Sequence, residues 1–334
     1  MNGHDERHRA PERHVEMRRE EKLYAALTEK RGHPELLSHR IVRDIGLHDR
    51  AHPREILQPL LAIGGYHHTL MHIADALQEA TLPALEREVL LASLLKKNRA
   101  WILAHGEHAL STAEEHTFHA WVLRRKNHEP IAYITGEKEF FGRTFHVTPD
   151  VLIPRPETEE LVRITLSQLS GGESGIADAN TDIVVFTHRF REKTPEVFVD
   201  IGTGSGCIAI TLALETRYPV IATDVSNAAL SVAQDNAELL SVPDRITFRK
   251  GNLLKPVRDL RSPFFLVSNP PYIPDAEIPM PDVMEYEPHL SLFAGPEGMG
   301  VLQPLIEQAM EHPYCTGFAL ECRRFQAEKL QEIL

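Results

Sequence analysis

The sequence is poor in cysteine, in aromatic residues and in positive charge, and it contains no long apolar run. Only Cys207, Cys315 and Cys322 occur, with no CxxC spacing. That usage suits a reducing compartment and argues against a disulfide scaffold or a zinc ribbon. No stretch approaches the ~20 apolar residues that span a bilayer. Behind Met1-Asn2-Gly3-His4-Asp5-Glu6-Arg7 there is no apolar core, which argues against a secretory signal, and the acids argue against a transit peptide. A cytoplasmic protein is expected. The formal net charge is -12. Affinity for phosphate backbones comes mainly from Lys and Arg, so this balance speaks against a generic nucleic-acid binder, although it leaves room for a local basic patch. With 42% hydrophobic and 25% charged residues the chain is globular, and 334 residues allow about two domains.

Residues 1–66 are dense in Arg, Glu and His, with short apolar clusters such as Leu23-Tyr24-Ala25-Ala26-Leu27. They read as a charged, partly helical extension with a disordered start. Residues 67–130 carry helical periodicity. Pro83 stands at a first-turn position before Leu85, Val89, Leu90, Leu94 and Leu95. Asn98 caps a short helix containing Trp101, and Ser111-Thr112-Ala113-Glu114 forms a capping box. Over 131–153 the period shortens. Glu139-Phe140-Phe141, Gly142 and Thr144-Phe145-His146-Val147 read as a β-hairpin linker. The remainder, 154–334, opens with a helix from Pro156 to Leu169. Residues 170–182 break the pattern, and Ile183-Val184-Val185-Phe186 reads as an added strand. From Val197 onward strands alternate with helices: Val197–Ile201, Val220–Asp224, 246–249, Phe264–Ser268 and 317–321. Such alternation predicts an α/β fold, a parallel sheet covered on both faces.

Asp200-Ile201-Gly202-Thr203-Gly204-Ser205-Gly206 is a strand running into a glycine turn. Glycine there lets the backbone approach a ligand and adopt unusual dihedrals. The turn alone is weak evidence, because many nucleotide-binding folds carry one. Asp224, at the end of the next strand, is spaced to accept both ribose hydroxyls of a nucleoside. The dinucleotide fingerprint is GxGxxG; GxGxG fits better a cofactor without pyrophosphate, S-adenosyl-L-methionine. Cys207 reads as a small residue opening a buried helix.

Asn269-Pro270-Pro271-Tyr272 follows the apolar run Phe264-Phe265-Leu266-Val267-Ser268. An amide or aryl amine nitrogen is a poor nucleophile because its lone pair is delocalised. A methyltransferase must hold it in line with the sulfonium methyl, with acceptors aimed at its N–H protons. The Asn269 side-chain carbonyl and the Pro270 backbone carbonyl supply that pair. The two prolines stiffen the loop, and Tyr272 offers a ring face to a flat substrate group. By itself the motif does not separate amide substrates from the exocyclic amines of nucleic-acid bases.

The histidines invite a metal reading. His67, His68 and His72 cluster, as do His105/His108 and His116/His119, but no third ligand type joins them. They read as solvated or capping residues, and no metal is expected. Lys96-Lys97 and Arg124-Arg125-Lys126 read as solvated faces, with contact to a partner as the second reading.

With these motifs placed, the chain resembles the peptide-chain release factor glutamine N(5)-methyltransferases, the HemK/PrmC family. The resemblance runs over about 70–322. It rests on Leu90-Leu91-Ala92, Glu129-Pro130-Ile131-Ala132-Tyr133-Ile134-Thr135-Gly136, Glu139-Phe140-Phe141-Gly142 and Leu152-Ile153-Pro154-Arg155-Pro156-Glu157-Thr158-Glu159. It continues through the glycine turn, Asn269-Pro270-Pro271-Tyr272, Tyr286-Glu287-Pro288 and Gly295-Pro296-Glu297-Gly298. It implies a class I (Rossmann-like) methyltransferase domain behind a helical bundle. The implied reaction is methylation, by S-adenosyl-L-methionine, of the glutamine amide in the Gly-Gly-Gln motif of class 1 release factors. It implies that 67–130 helps dock the release factor, with neither a membrane nor a nucleic-acid substrate involved. By position Gly202, Thr203, Gly204, Ser205, Gly206, Asp224, Asn252, Leu253 and Asn269 would hold the cofactor. Asn269, Pro270, Pro271 and Tyr272 would hold the glutamine.

The chain departs from the family pattern in three places. Gly251-Asn252 stands where Gly-Asp is usual, so the contact to the adenine amino group loses its charge and weaker cofactor binding is expected. Phe264-Phe265 stand where an Asp usually lies. Past the fifth strand the family usually continues with a Glu-Ile-Gly turn, a helix and two strands; here Glu321-Cys322-Arg323-Arg324 leads into a helix that reaches Leu334. The last two strands of the sheet are therefore expected to be missing, leaving an unpaired edge and reduced stability. Two other functions remain open at this point: an adenine amino-methyltransferase acting on nucleic acid, and an inactive binding protein lacking those strands.

Overall fold

The computed structural model describes residues 70–79, 81–177 and 182–334. The 1–66 extension, His67 and His68 lie outside them. The described chain begins with five helices: α1 (Ile73–Leu77), α2 (Ala84–Leu95), α3 (Arg99–Ala104), α4 (Thr112–Lys126) and α5 (Ile131–Thr135). The Asn98 side chain accepts from the Trp101 amide at 2.8 Å, and Ser111 and Glu114 cap α4 reciprocally. Each satisfies donors that a helix start leaves unpaired. Leu90, Leu91, Ile102, Phe118 and Val122 form the core of this bundle. The basic run at 124–126 is not simply solvated: Arg124 pairs with Glu129, and Arg125 with Glu86 at 2.9 Å. His105 stacks on Trp101 with ring centroids 4.3 Å apart.

A hairpin, β1 (Glu137–Phe140) and β2 (Arg143–His146), leads to α6 (Pro156–Gln168). The order then runs β3 (Gly175–Ala177), β4 (Ile183–Arg189), β5 (Val197–Ile201), α7 (Cys207–Glu215), β6 (Val220–Asp224), α8 (Asn227–Leu239) and β7 (Ile246–Lys250). It ends with β8 (Phe264–Ser268), α9 (Pro281–Tyr286), α10 (Leu302–Glu311), β9 (Cys315–Arg323) and α11 (Arg324–Gln331). Among the described residues the large sheet has seven strands in the order β3-β4-β9-β8-β5-β6-β7. The central run from β9 to β7 is parallel. Residues of α6, α7 and α8 pack on one face, and residues of α10 and α11 on the other. Burial from both sides explains why β5 and β8 are apolar almost throughout.

As expected, no strand follows β9 among the described residues, but the edge beside it is not bare. β4 lies antiparallel along β9, from Ile183 opposite Arg323 to Arg189 opposite Gly317, and β3 pairs antiparallel with β4. The edge expected to be bare is therefore covered, by a hairpin that precedes the glycine turn in sequence. An open strand edge accepts any neighbour of suitable pattern. Val184, Val185 and Phe186 supply one, and each is at least 95% buried. The added strand read at 183–186 extends to Arg189, and its partner β3 carries no strand signal of its own.

Candidate active site

Strand order reverses between β5 and β8, since β6 and β7 follow on one side and β8 and β9 on the other. Ligands of open α/β sheets bind beyond the carboxyl ends of the strands at such a switch point. A cavity of about 450 Å³ opens there. Its wall includes Gly202, Thr203, Gly204 and Ser205 after β5, Asp224 after β6, Asn252 and Leu253 after β7, and Asn269, Pro270 and Pro271 after β8.

The glycine turn is held from two directions. Gly202 and Gly204 have φ of +74° and +54°, and the space a Cβ would take at either is open. Asp224 accepts the Gly204 amide on Oδ2 at 3.0 Å and the Ser226 amide on Oδ1 at 2.8 Å. It therefore fixes the turn while keeping lone pairs for a ligand. Gly206 is not on the wall. It caps α7, and a Cβ there would meet Ile210 and Ala233 at about 3 Å. Its glycine serves helix packing. Asn236 on α8, which sequence reasoning missed, donates to the carbonyls of Ser205 and His146, both at 2.9 Å. It ties the turn to the hairpin.

Asp200, fully buried at the end of β5, accepts from the Thr203 hydroxyl at 2.6 Å. Burial pushes its carboxyl up to about 7. Burial likewise pushes the Cys207 thiol up to about 12, so it stays neutral beside the cavity.

Asn269 donates from Nδ2 to Thr158 Oγ1 at 2.9 Å, and Oδ1 has no partner among the described residues. The Pro270 carbonyl takes no backbone hydrogen bond among those residues either. Both acceptors named from the sequence are thus available at the wall. Tyr272 is placed differently. It lies outside the wall, its hydroxyl donating to Glu321 Oε1 at 3.2 Å and its carbonyl accepting from Gln326 at 2.8 Å. A Cβ at Gly298 would fall 2.1 Å from that carbonyl, so only glycine lets the 295–300 loop close over it. Burial and the Glu321 charge push the Tyr272 phenol far above its ordinary range, so it remains a donor.

Two side chains of the cavity surroundings had no role from sequence. Arg155 pairs with Glu287, whose other oxygen accepts the Ile153 amide at 3.1 Å. The Glu287 side chain is 1% exposed. This pair, buried on the Glu287 side, joins the entry of α6 to the segment after Asn269-Pro270-Pro271-Tyr272. The signal was present, because both residues sit in the quoted runs around Arg155 and Glu287, but spacing alone could not pair residues 132 positions apart. Among the described residues no three His, Cys, Asp or Glu side chains gather as metal ligands.

Residues 68–136 match the PrmC N-terminal domain, and residues 175–281 the Methyltransferase small domain. The release factor glutamine methyltransferase of Koribacter versatilis is 37% identical over 269 residues, covering 79% of this chain and 87% of that protein. The chain belongs to the release factor glutamine methyltransferase family. The Coxiella burnetii member is also 37% identical, over 75% of this chain and 83% of its own. Among solved structures, the hMettl16 catalytic domain in complex with MAT2A 3'UTR hairpin 6 covers 66% of this chain and 72% of its own, at TM-score 0.43 and 18% identity.

The site fits the methyl donor of a methyltransferase family. Gly202 and Gly204 leave side-chain-free faces on the wall, and the residues that would hold the donor's ribose and adenine, Asp224 and Asn252, line the same cavity. A volume of about 450 Å³ lies within the roughly 300–1,000 Å³ of small-molecule sites.

Proposed function

We propose that this chain methylates the side-chain amide of the glutamine in the Gly-Gly-Gln motif of class 1 release factors, using S-adenosyl-L-methionine. The observation that carries the reading is the fixed Asn269 amide: Nδ2 is tied to Thr158, and Oδ1 is left for a ligand at the wall of the cofactor-sized cavity. Bound S-adenosyl-L-methionine supplies an electrophilic sulfonium methyl.

The chain's own residues do the rest. Asp224 and the 202–205 backbone hold the cofactor. Asn269 Oδ1 and the Pro270 carbonyl accept the two N–H protons of the glutamine amide and hold its nitrogen in line with the methyl. Such orientation supplies up to roughly 7–11 kcal/mol of a barrier. No general base is needed before transfer, because the product nitrogen is acidic enough to release its proton afterwards. The rigid Pro270-Pro271 pair keeps both acceptors in place.

The region 67–130 docks the release factor, and the reaction takes place in the cytoplasm. Neither a membrane nor a nucleic-acid substrate is involved. Among the described residues no helix is long and apolar enough to cross a membrane. Mass spectrometry of a class 1 release factor after incubation with enzyme and S-adenosyl-L-methionine tests the reading. One methyl on the Gly-Gly-Gln glutamine is expected. An unmodified release factor alongside methylated adenine in DNA or RNA oligonucleotides overturns it.

A further inference from the structure

Glu321 is a buried titratable group that the chemistry above does not use. It lies in β9, 1% exposed, opposite Val185 of β4. Oε1 accepts from Tyr272, while Oε2 is buried without a hydrogen-bond partner of good geometry among the described residues. Thr158 stands between Glu321 and the loop. Its Oγ1 receives Asn269 Nδ2, which leaves the hydroxyl's own proton for the unpartnered oxygen of the Glu321 carboxylate beside it.

We propose that Glu321 is a positioning residue that, through Thr158 and Tyr272, sets which way round the Asn269 amide faces the acceptor nitrogen. The inference rests on the function read above. An ionised carboxylate only accepts hydrogen bonds, whereas a hydroxyl both donates and accepts. With its proton drawn toward Glu321, Thr158 meets Asn269 with a lone pair. Asn269 must then turn Nδ2 to Thr158 and Oδ1 to the substrate. Were Thr158 to donate to Asn269 instead, the amide would reverse and set an NH2 against the substrate NH2, donor against donor. Tyr272, donating to the same carboxylate, anchors the far end of the loop.

Charged and titratable groups around Glu321 come from several elements: Arg155 and Glu157 at the start of α6, Cys207 on α7, Tyr272 on the loop and Cys322 beside it. Burial is the largest influence and pushes the Glu321 carboxyl up to about 7. Methyl transfer should therefore rise as pH passes through about 7, where the acceptor-only form takes over.

Glu321→Gln keeps the volume and adds a donor. Its kcat is expected to fall by about tenfold or more, with affinity for S-adenosyl-L-methionine within about twofold and the rise near pH 7 gone. Adding Thr158→Val to Glu321→Gln should cost little further, because both act through one chain of hydrogen bonds. A wild-type kcat and pH profile in Glu321→Gln, or losses that multiply, overturns the proposal. A second readout needs no acceptor substrate. The ultraviolet absorbance of Tyr272, isolated by subtracting Tyr272→Phe, should shift as Glu321 ionises. A spectrum of Tyr272 unchanged across that range overturns the proposal, even if Glu321→Gln does not fold. A wild-type enzyme that shows the shift but modifies no release factor sinks the assigned substrate and leaves the Glu321 role standing.

Discussion

Thr158, in the first turn of α6, receives the Asn269 side chain at 2.9 Å across 111 positions of sequence. The bond gives the Pro154-Arg155-Pro156-Glu157-Thr158 run a reason to accompany the Asn269 loop: one holds the other's amide the right way round. Thr158→Val keeps shape and burial but removes the acceptor. Its single-turnover methyl transfer should fall by about tenfold, the order of one hydrogen bond of ~1.5 kcal/mol, while Thr158→Ser stays near wild type. Asn269→Ala should fall further, by about two to three decades, as when one preorganised partner is removed. Calorimetry should find S-adenosyl-L-methionine affinity nearly unchanged in all three; a large loss would mean that Asn269 holds the cofactor instead.

Besides the cofactor contact proposed for it, Asp224 accepts the amides of Gly204 and Ser226. Asp224→Ala should weaken cofactor binding by at least the ~1.5–3 kcal/mol of a charged hydrogen bond, and should loosen the glycine turn as well. Asn252 invites the opposite change. It lines the same cavity with a neutral carbonyl. Asn252→Asp should tighten the cofactor by several-fold, roughly the gain from charging one acceptor. Equal affinity in titration calorimetry would place the adenine amino group away from residue 252.

Two buried carboxyls give the fold a pH dependence. Burial raises Asp200 and Glu321 to about 7, from ordinary values of 3.8 and 4.5. In the window between, the folded chain keeps protons that the unfolded chain has released. Their stabilising contribution is therefore complete below about pH 4, falls as pH rises and is lost above about pH 7. Urea unfolding midpoints should decline across that window, and Asp200→Asn and Glu321→Gln should each flatten the decline. A decline of the same size in both variants would assign it to other groups.

Much of the parallel core was legible because each strand there is a short apolar run closed by a chemically marked turn. Val197–Ile201 precedes Gly202, Val220–Asp224 ends in its acid, and Phe264–Ser268 precedes Asn269. What could not be read was which distant segments meet. The pairing of Arg155 with Glu287 joins sites with no shared periodicity, as does that of Thr158 with Asn269. The Tyr272 ring suits a flat group by its residue type, but that its hydroxyl meets a buried carboxylate on β9 has no signal in the sequence. The largest difference lies at the sheet edge. Gly175-Ile176-Ala177 is too short and too glycine-rich to announce a strand, yet paired with Thr187-Phe186-Val185 it closes β4. Sequence order suggested that the outer strands should follow β9, whereas hydrogen bonding requires only that they lie beside it.

That edge makes the last prediction. Phe186 is 1% exposed and meets Phe318 of β9 edge to face, with ring centroids 5.4 Å apart. If β4 is part of the core, Phe186→Ala should cost about 3–5 kcal/mol, as removal of a buried aromatic ring does. Amide exchange along β9 should then quicken, because β4 no longer shields its hydrogen bonds. Val185 sits opposite Glu321, so the same variant should also disturb the Thr158–Asn269 arrangement and lower methyl transfer below the level expected from the folded fraction alone. A melting temperature within about 2 °C of wild type would show β4 to be a dispensable attachment, since even 1 kcal/mol moves a chain of this size by roughly that much.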